Sequence, residues 1–346
     1  MIRVLIAEGS PFRANVLSRA LRGTARAVGF AAHGEEAILL AHRLKPDAIL
    51  MDVDLPALRG PLATRQIMEH SPCAILALAD PASARESELA FLTLDQGAID
   101  ILARPATLLE EGPPAYGRSV VQRIEAAVRV GPRPIARPEP SGKVASEISP
   151  SGAPSLILIG GGIGGIPVTT ALLRLLPKTI HASICLVQTL ERGFDSAYAR
   201  WLSSQTGFPA EVCRAPRALE PARVFLAPDD AHLVVKDAAT VAPRRGQPLR
   251  GHLPSATALF RSAARHGAGS MLAVLLSGTG LDGLEGLKSL RRAGAVVLAQ
   301  ERASCLAPER VQHAVDAGFV DHEVAPEQMA RLMALAREGR NKARSA

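Results

Sequence analysis

The sequence predicts two α/β domains, each a doubly wound parallel sheet, joined by a proline-rich linker. Three observations predict it. Short apolar runs alternate with helical patterns across the first 130 residues. That periodicity disappears between Gly131 and Pro154, where Pro132, Pro134, Pro138, Pro140, Pro150 and Pro154 are interspersed with Ser and Gly. The alternation resumes at Ser155. The predicted boundaries are 1–130, 131–154 and 155–346, and a chain of 346 residues can bury two separate cores.

In the first domain the predicted strands are Val4–Ala7, Ala27–Ala32, Ala48–Met51, Ala74–Ala79 and Ile99–Leu102. Helical patterns fill the gaps, as in Pro11–Leu21 and Glu35–Leu44. Each strand is a nearly unbroken apolar run, as expected where helices cover both faces of a parallel sheet. In the second domain the strands are Leu156–Ile159, Ser183–Gln188, Val224–Ala227, Met271–Ser277 and Ala295–Ala299. The first of these leads through Gly160–Gly165 into a helix over Pro167–Leu176. The polar, turn-rich stretch from Lys236 to Gly251 reads as a hairpin excursion.

Composition excludes several function classes. Hydrophobic residues make up 47% and aromatics 3%, so the cores must be built from Leu, Ile, Val and Ala. The net charge of +7 comes from scattered arginines, with Arg244-Arg245 and Arg291-Arg292 as isolated pairs. Nucleic-acid binding would require clustered cations interleaved with aromatics, and the sequence has none. The four cysteines show neither metal-ligand nor disulfide spacing, which fits a reduced, cytoplasmic compartment. Met1–Ile6 reads as a first strand rather than a signal peptide. No apolar stretch reaches the ~20 residues of a membrane span, so no membrane insertion is expected.

Two groups of residues carry chemistry. In the first domain Glu8 closes the first strand and Asp52 the third, which places both acids at the carboxyl edge of the sheet where α/β proteins bind ligands. Arg104-Pro105 closes the fifth strand. These marks resemble the receiver domains of two-component response regulators. The resemblance implies Asp52 as phosphoacceptor, Glu8 and Asp52 as ligands of a Mg²⁺ ion, and Arg104 at the position of the family's switch lysine. It also implies a histidine kinase as partner. Gly9 stands where the family has a second acid, and Ala77-Leu78-Ala79 where it has a switch hydroxyl. Glycine cannot ligate a metal, and a guanidinium is not a compact ammonium. The expectation is therefore a receiver-fold scaffold with a solvated Asp52.

In the second domain Gly160, Gly162 and Gly165 match the dinucleotide pattern, which would set an NAD-type pyrophosphate against a helix N-terminus. The acid that should follow for the ribose is missing from the strand end, and Glu191 lies beyond it. The same turn resembles the Gly-Ala-Ser-Thr-Gly-Gly turn of CheB-type chemoreceptor methylesterases. Gln188-Thr189-Leu190, Leu226-Ala227-Pro228, Pro254-Ser255, Ser277–Gly283 and Ala303-Ser304-Cys305 follow in that family's order. The segment after Cys305 is shorter than the family's Gly-Met-Pro loop.

That resemblance implies a receptor-glutamate methylesterase fold with a serine nucleophile, a histidine base and an orienting aspartate. Position by position these fall on Gly162, Thr189 and Asp282. Glycine has no attacking oxygen, and threonine accepts no proton at neutral pH. The expectation is a catalytically impaired chemotaxis protein that binds chemoreceptors or other signalling proteins, with Asp282 accepting backbone N–H bonds. Two alternatives stay open: an active esterase that uses displaced residues, and a dinucleotide binder at Gly160–Gly165.

Overall fold

A computed structural model describes residues 1–21, 23, 25–104, 114–132, 155–266 and 271–334. Most of the predicted linker (133–154), Pro105 and the C-terminal residues 335–346 lie outside the described residues. Contacts divide the chain into two compact units, Met1–Ala136 and Arg137–Ala346.

The N-terminal unit runs β1 (Ile2–Ala7), α1 (Pro11–Ala20), β2 (Ala25–Ala31), α2 (Gly34–Leu44), β3 (Ala48–Asp52), α3 (Gly60–His70), β4 (Ala74–Ala79), α4 (Ala84–Asp95), β5 (Asp100–Ala103) and α5 (Pro114–Val130). Its five strands lie in the order β2-β1-β3-β4-β5, with every neighbouring pair parallel. All of β3 and β4 is buried, which explains their unbroken apolar sequence. Helix starts follow local chemistry. The Ser10 hydroxyl accepts from Arg13 N ahead of Pro11, and Ser83 accepts from Glu86 N at α4.

Strand order reverses between β1 and β3, because the chain moves outward to β2 and then returns to the other side of β1. The crevice at this switch point is bounded by the carboxyl ends of β1 and β3, where Glu8 and Asp52 lie. Gly60 fixes the Asp52 loop. A Cβ there would lie 2.7 Å from the Asp52 carbonyl oxygen and 2.8 Å from Val53 Cα, both backbone atoms that cannot swing away. Gly60→Ala is therefore expected to cost about 1–3 kcal/mol of stability. Denaturant unfolding of the full chain, followed by far-UV circular dichroism, checks this.

The C-terminal unit runs β6 (Leu156–Gly161), α6 (Gly165–Leu175), β7 (Ser183–Gln188), α7 (Asp195–Thr206), β8 (Ala210–Val212), β9 (Arg217–Ala218), β10 (Val224–Leu226), β11 (His232–Asp237), β12 (Thr240–Arg244) and α8 (Ala256–Arg265). It continues with β13 (Met271–Leu275), α9 (Leu284–Arg292), β14 (Val296–Gln300), α10 (Glu309–Asp316), β15 (His322–Val324) and α11 (Pro326–Ala334). A parallel sheet of seven strands takes the order β15-β14-β13-β6-β7-β10-β8. The expected hairpin is β11–β12, which starts earlier than its polar sequence suggested because Leu233, Val234 and Val235 pair with Pro243, Ala242 and Val241. Leu158, Val187, Phe225, Leu259, Phe260, Leu275 and Val297 build the core on one face of this sheet.

Here too the order reverses, between β6 and β13, and the glycine turn lies beside the Ser277–Gly283 loop at that switch point. Among the described residues no helix is long and apolar enough to cross a membrane. The four cysteines are buried. Burial pushes the Cys73 thiol up to about 12 and that of Cys213 up to about 11, so both are neutral, small core side chains.

Candidate functional site

Each unit gathers its chemistry-bearing residues at its own switch point. In the N-terminal unit Glu8 and Asp52 are each 3% exposed, and Arg104 lies between them at 8%. Arg104 Nη1 is 3.3 Å from Glu8 Oε2 and 3.1 Å from Asp52 Oδ2, and its Nη2 donates to Asp52 Oδ1 at 3.2 Å. The same Nη2 also donates to Glu86 on α4. Arg13 of α1 closes the other side, with Nε donating to Glu8 Oε1 at 2.8 Å and Nη2 lying 3.7 Å from Asp52 Oδ2. Backbone N–H groups of Ser10 and Asp54 complete the set on Glu8 and Asp52.

The expected solvated Asp52 is thus corrected. The planar fork of Arg104 spans both acids and holds them in a buried ion cluster. Burial and the neighbouring Asp52 charge raise the Glu8 pKa, outweighing Ser10 and Arg13. Burial alone would lower the Arg104 pKa, but Asp52 and Glu86 more than offset it, and the guanidinium stays charged.

The residues that should hold Mg²⁺ do not fit the ion. Glu8 and Asp52 already have partners on every carboxylate oxygen. Among the described residues no group of three metal-ligating side chains forms. Gly9 offers no ligand, and a Cβ there would press on Pro56 Cδ at 3.2 Å.

In the C-terminal unit the glycine turn is packed solid with the protein's own side chains. A Cβ on Gly161 would meet Gln188 Oε1 at 2.3 Å, and one on Gly165 would meet it at 2.7 Å. The Gln188 amide donates to the Gly162 carbonyl at 2.8 Å, tying the end of β7 to the turn. Gly162 N–H donates to the Ser277 carbonyl at 2.9 Å, tying the turn to the loop after β13.

The Arg310 guanidinium lies over Gly162. A Cβ on Gly162 would come within 2.9 Å of both Arg310 Nη2 and Gly278 Cα, and a Cβ on Gly278 would come within 2.8 Å of Arg310 Cζ. A planar cation is packed against two adjoining glycines, in the volume that a side chain at position 162 would enter. Arg310 is 2% exposed, its Nε has no hydrogen-bond partner, and its Nη2 reaches the Thr279 carbonyl only at 3.5 Å. Burial lowers its pKa, and the Asp282 charge works against that.

Asp282, 6% exposed, faces α8. It accepts from Ser255 Oγ at 2.5 Å, Ala256 N at 2.8 Å and Thr257 N at 3.1 Å, as an anion capping a helix N-terminus does. Burial would raise its pKa, but Ser255, Arg310 and the two backbone donors hold it below the usual carboxylate value. Thr189 is exposed, its N–H and hydroxyl both directed at the Gly161 carbonyl, and it makes no bond to Asp282. Gly162, Thr189 and Asp282 therefore share one edge of the sheet without forming a relay.

Neither His232 nor His252 bonds to Asp282. His232 is buried with Nε2 at the Gln247 carbonyl, and His252 lies beside Gly280. Sequence reading missed Arg13, Glu86 and Arg310. The shortened segment after Cys305 was the one signal near Arg310.

The CheB methylesterase family matches residues 157–333, and the response regulator receiver domain matches residues 4–110. A protein-glutamate methylesterase/protein-glutamine glutaminase of Anaeromyxobacter dehalogenans is 37% identical over 342 residues, covering 97% of this chain and 99% of its own. One from Syntrophus aciditrophicus is 30% identical over 347 residues, covering 96% and 97%. The fold also matches the crystal structure of the Thermotoga maritima CheB methylesterase catalytic domain, with a TM-score of 0.50 and 22% identity over 53% of this chain and 98% of that one. The chain belongs to the CheB methylesterase family, and carries a response regulator receiver domain ahead of its methylesterase domain.

Proposed function

We propose that this chain is a cytoplasmic chemosensory signalling protein that binds chemoreceptor or histidine kinase partners and does not hydrolyse esters or amides at its glycine turn. The observation that carries this reading is the Arg310 guanidinium packed on Gly162 and Gly278. The relatives' names state two hydrolyses, of a glutamate methyl ester and of a glutamine amide. Both require a nucleophile and a group that takes its proton. Here the nucleophile position lacks an oxygen and is filled, the base position is a threonine, and Asp282 is engaged in capping α8.

One contact favours the alternative of displaced catalysis, namely the 2.5 Å bond from Ser255 Oγ to Asp282. Ser255 is fully buried, however, and a carboxylate held below its usual pKa is a poor base for a serine proton. For the dinucleotide alternative, Gln188 and Arg310 occupy the space that a pyrophosphate would approach.

The test is methanol release from methylated chemoreceptor membranes, run beside a family member with an intact serine and histidine. In triad hydrolases, loss of the nucleophile costs about 10⁶ in turnover, so release at background level is expected. Turnover near that of the intact enzyme overturns the reading. Co-sedimentation of the chain with the same membranes reports the binding it proposes.

A further inference from the structure

We propose that Arg104, backed by Arg13, is a built-in cation that replaces the divalent metal of the receiver pocket and clamps α4 to Asp52 whether or not metal is present. This does not rest on the reading of the methylesterase domain.

The pocket brings together the carboxylates of Glu8, Asp52 and Glu86 and the guanidinium groups of Arg104 and Arg13. Three negative and two positive charges leave a net charge of −1, so much of the repulsion that a metal would relieve is already compensated. Arg104 does what a bridging ion does. It contacts an acid at the end of β1, an acid at the end of β3 and an acid on α4 at once. It follows β5, so a single buried side chain ties β1, β3 and β5 to α4.

Unlike a metal, this cation cannot dissociate, and an arginine does not lose its proton in proteins. A Mg²⁺ ion demands near-ideal octahedral oxygen geometry and sheds its waters reluctantly. It would have to displace a buried guanidinium from both acids, with no ligand from Gly9 to help. The consequence lies at α4. Glu86 of that helix is held by Arg104 and also accepts from Asp80 N at 2.8 Å, so the helix start has one position fixed by the chain itself. A partner that reads this face meets one state, independent of metal supply.

The experiment uses the full chain and two variants. Isothermal titration with MgCl₂ and with MnCl₂ measures binding, and hydrogen exchange read by mass spectrometry over residues 84–95 measures the clamp. The wild-type chain is expected to give no saturable heat, and metal leaves its α4 exchange unchanged. In Arg104→Met, α4 exchange should rise by about tenfold, the equivalent of one lost charge-assisted hydrogen bond. Metal should slow it again, because Glu8 and Asp52 then lose the guanidinium that bridged them and keep only Arg13. Gly9→Asp with Arg104→Lys should bind metal outright, and it keeps the question answerable if the methionine variant does not fold. Saturable metal binding by the wild-type chain overturns the proposal. So does stoichiometric labelling of Asp52 by a small phosphodonor with Mg²⁺, or exchange in Arg104→Met that matches wild type and ignores metal.

Discussion

Asp282→Ala is expected to destabilise the C-terminal domain by several kcal/mol, at about 1–3 kcal/mol for each buried donor left without a partner. Two losses combine. The α8 N-terminus loses the carboxylate that accepts from Ala256 N and Thr257 N and from Ser255 Oγ, leaving buried donors without partners. Arg310 loses the nearest charge that opposes its burial, and its Nε is already without a hydrogen bond. Asp282→Asn keeps an acceptor but not the charge, and is expected to fall between alanine and wild type.

Trp201, the chain's single tryptophan, is buried in α7 of the same domain, so its fluorescence reports unfolding of that domain alone. The pH dependence has a definite sign. The Asp282 pKa is lower folded than its ordinary 3.8, so its contribution is fully present above that value. It is lost as pH falls below 3.8 through the folded value. Asp282→Ala should remove that part of the acid sensitivity. A variant with wild-type stability, or an unchanged acid limb, would show that the cap and the Arg310 charge do not depend on Asp282.

Gly162→Ser combined with Thr189→His is expected to leave methyl ester hydrolysis at background and to lower stability. The serine Cβ would lie 2.9 Å from Arg310 Nη2 and 2.9 Å from Gly278 Cα, one of them a backbone atom. Overpacking of this kind costs about 1–3 kcal/mol. The new hydroxyl would begin against a buried guanidinium, and the new imidazole would find Asp282 already satisfied by α8. Adding Arg310→Ala should recover stability relative to the double variant. Methanol release by the double variant near the rate of an intact family enzyme would refute this account, as would a Gly162→Ser chain as stable as wild type.

The sheets were legible because parallel strands covered on both faces are written as apolar runs. Ala74–Ala79 and Ser183–Gln188 occur as strands with the predicted ends. Boundaries moved where polar residues continue a ladder, as at Gln300 in β14 and Asp52 in β3. The glycine turn was legible as a turn, and the lack of a side chain at Gly162 as a gap. What filled the gap was not legible. Arg310 lies 148 positions from Gly162 by their numbers, and in an arginine-rich chain nothing local marks one arginine as buried. Asp52 was misread for a related reason. Whether an acid at a sheet edge faces water depends on what comes from α1, α4 and the end of β5, and only the fold brings Arg13, Glu86 and Arg104 together.

The packing of Arg310 on Gly162 also bears on reversibility. The two positions are epistatic: serine at 162 is penalised while arginine stands at 310, and removing the arginine while glycine remains opens a void and strips Asp282 of its counter-charge. Each single substitution at either position is therefore unfavourable for folding, and only a concerted change at both avoids the penalty. The pair thus acts as a ratchet on this turn, holding glycine at 162 for as long as arginine stands at 310.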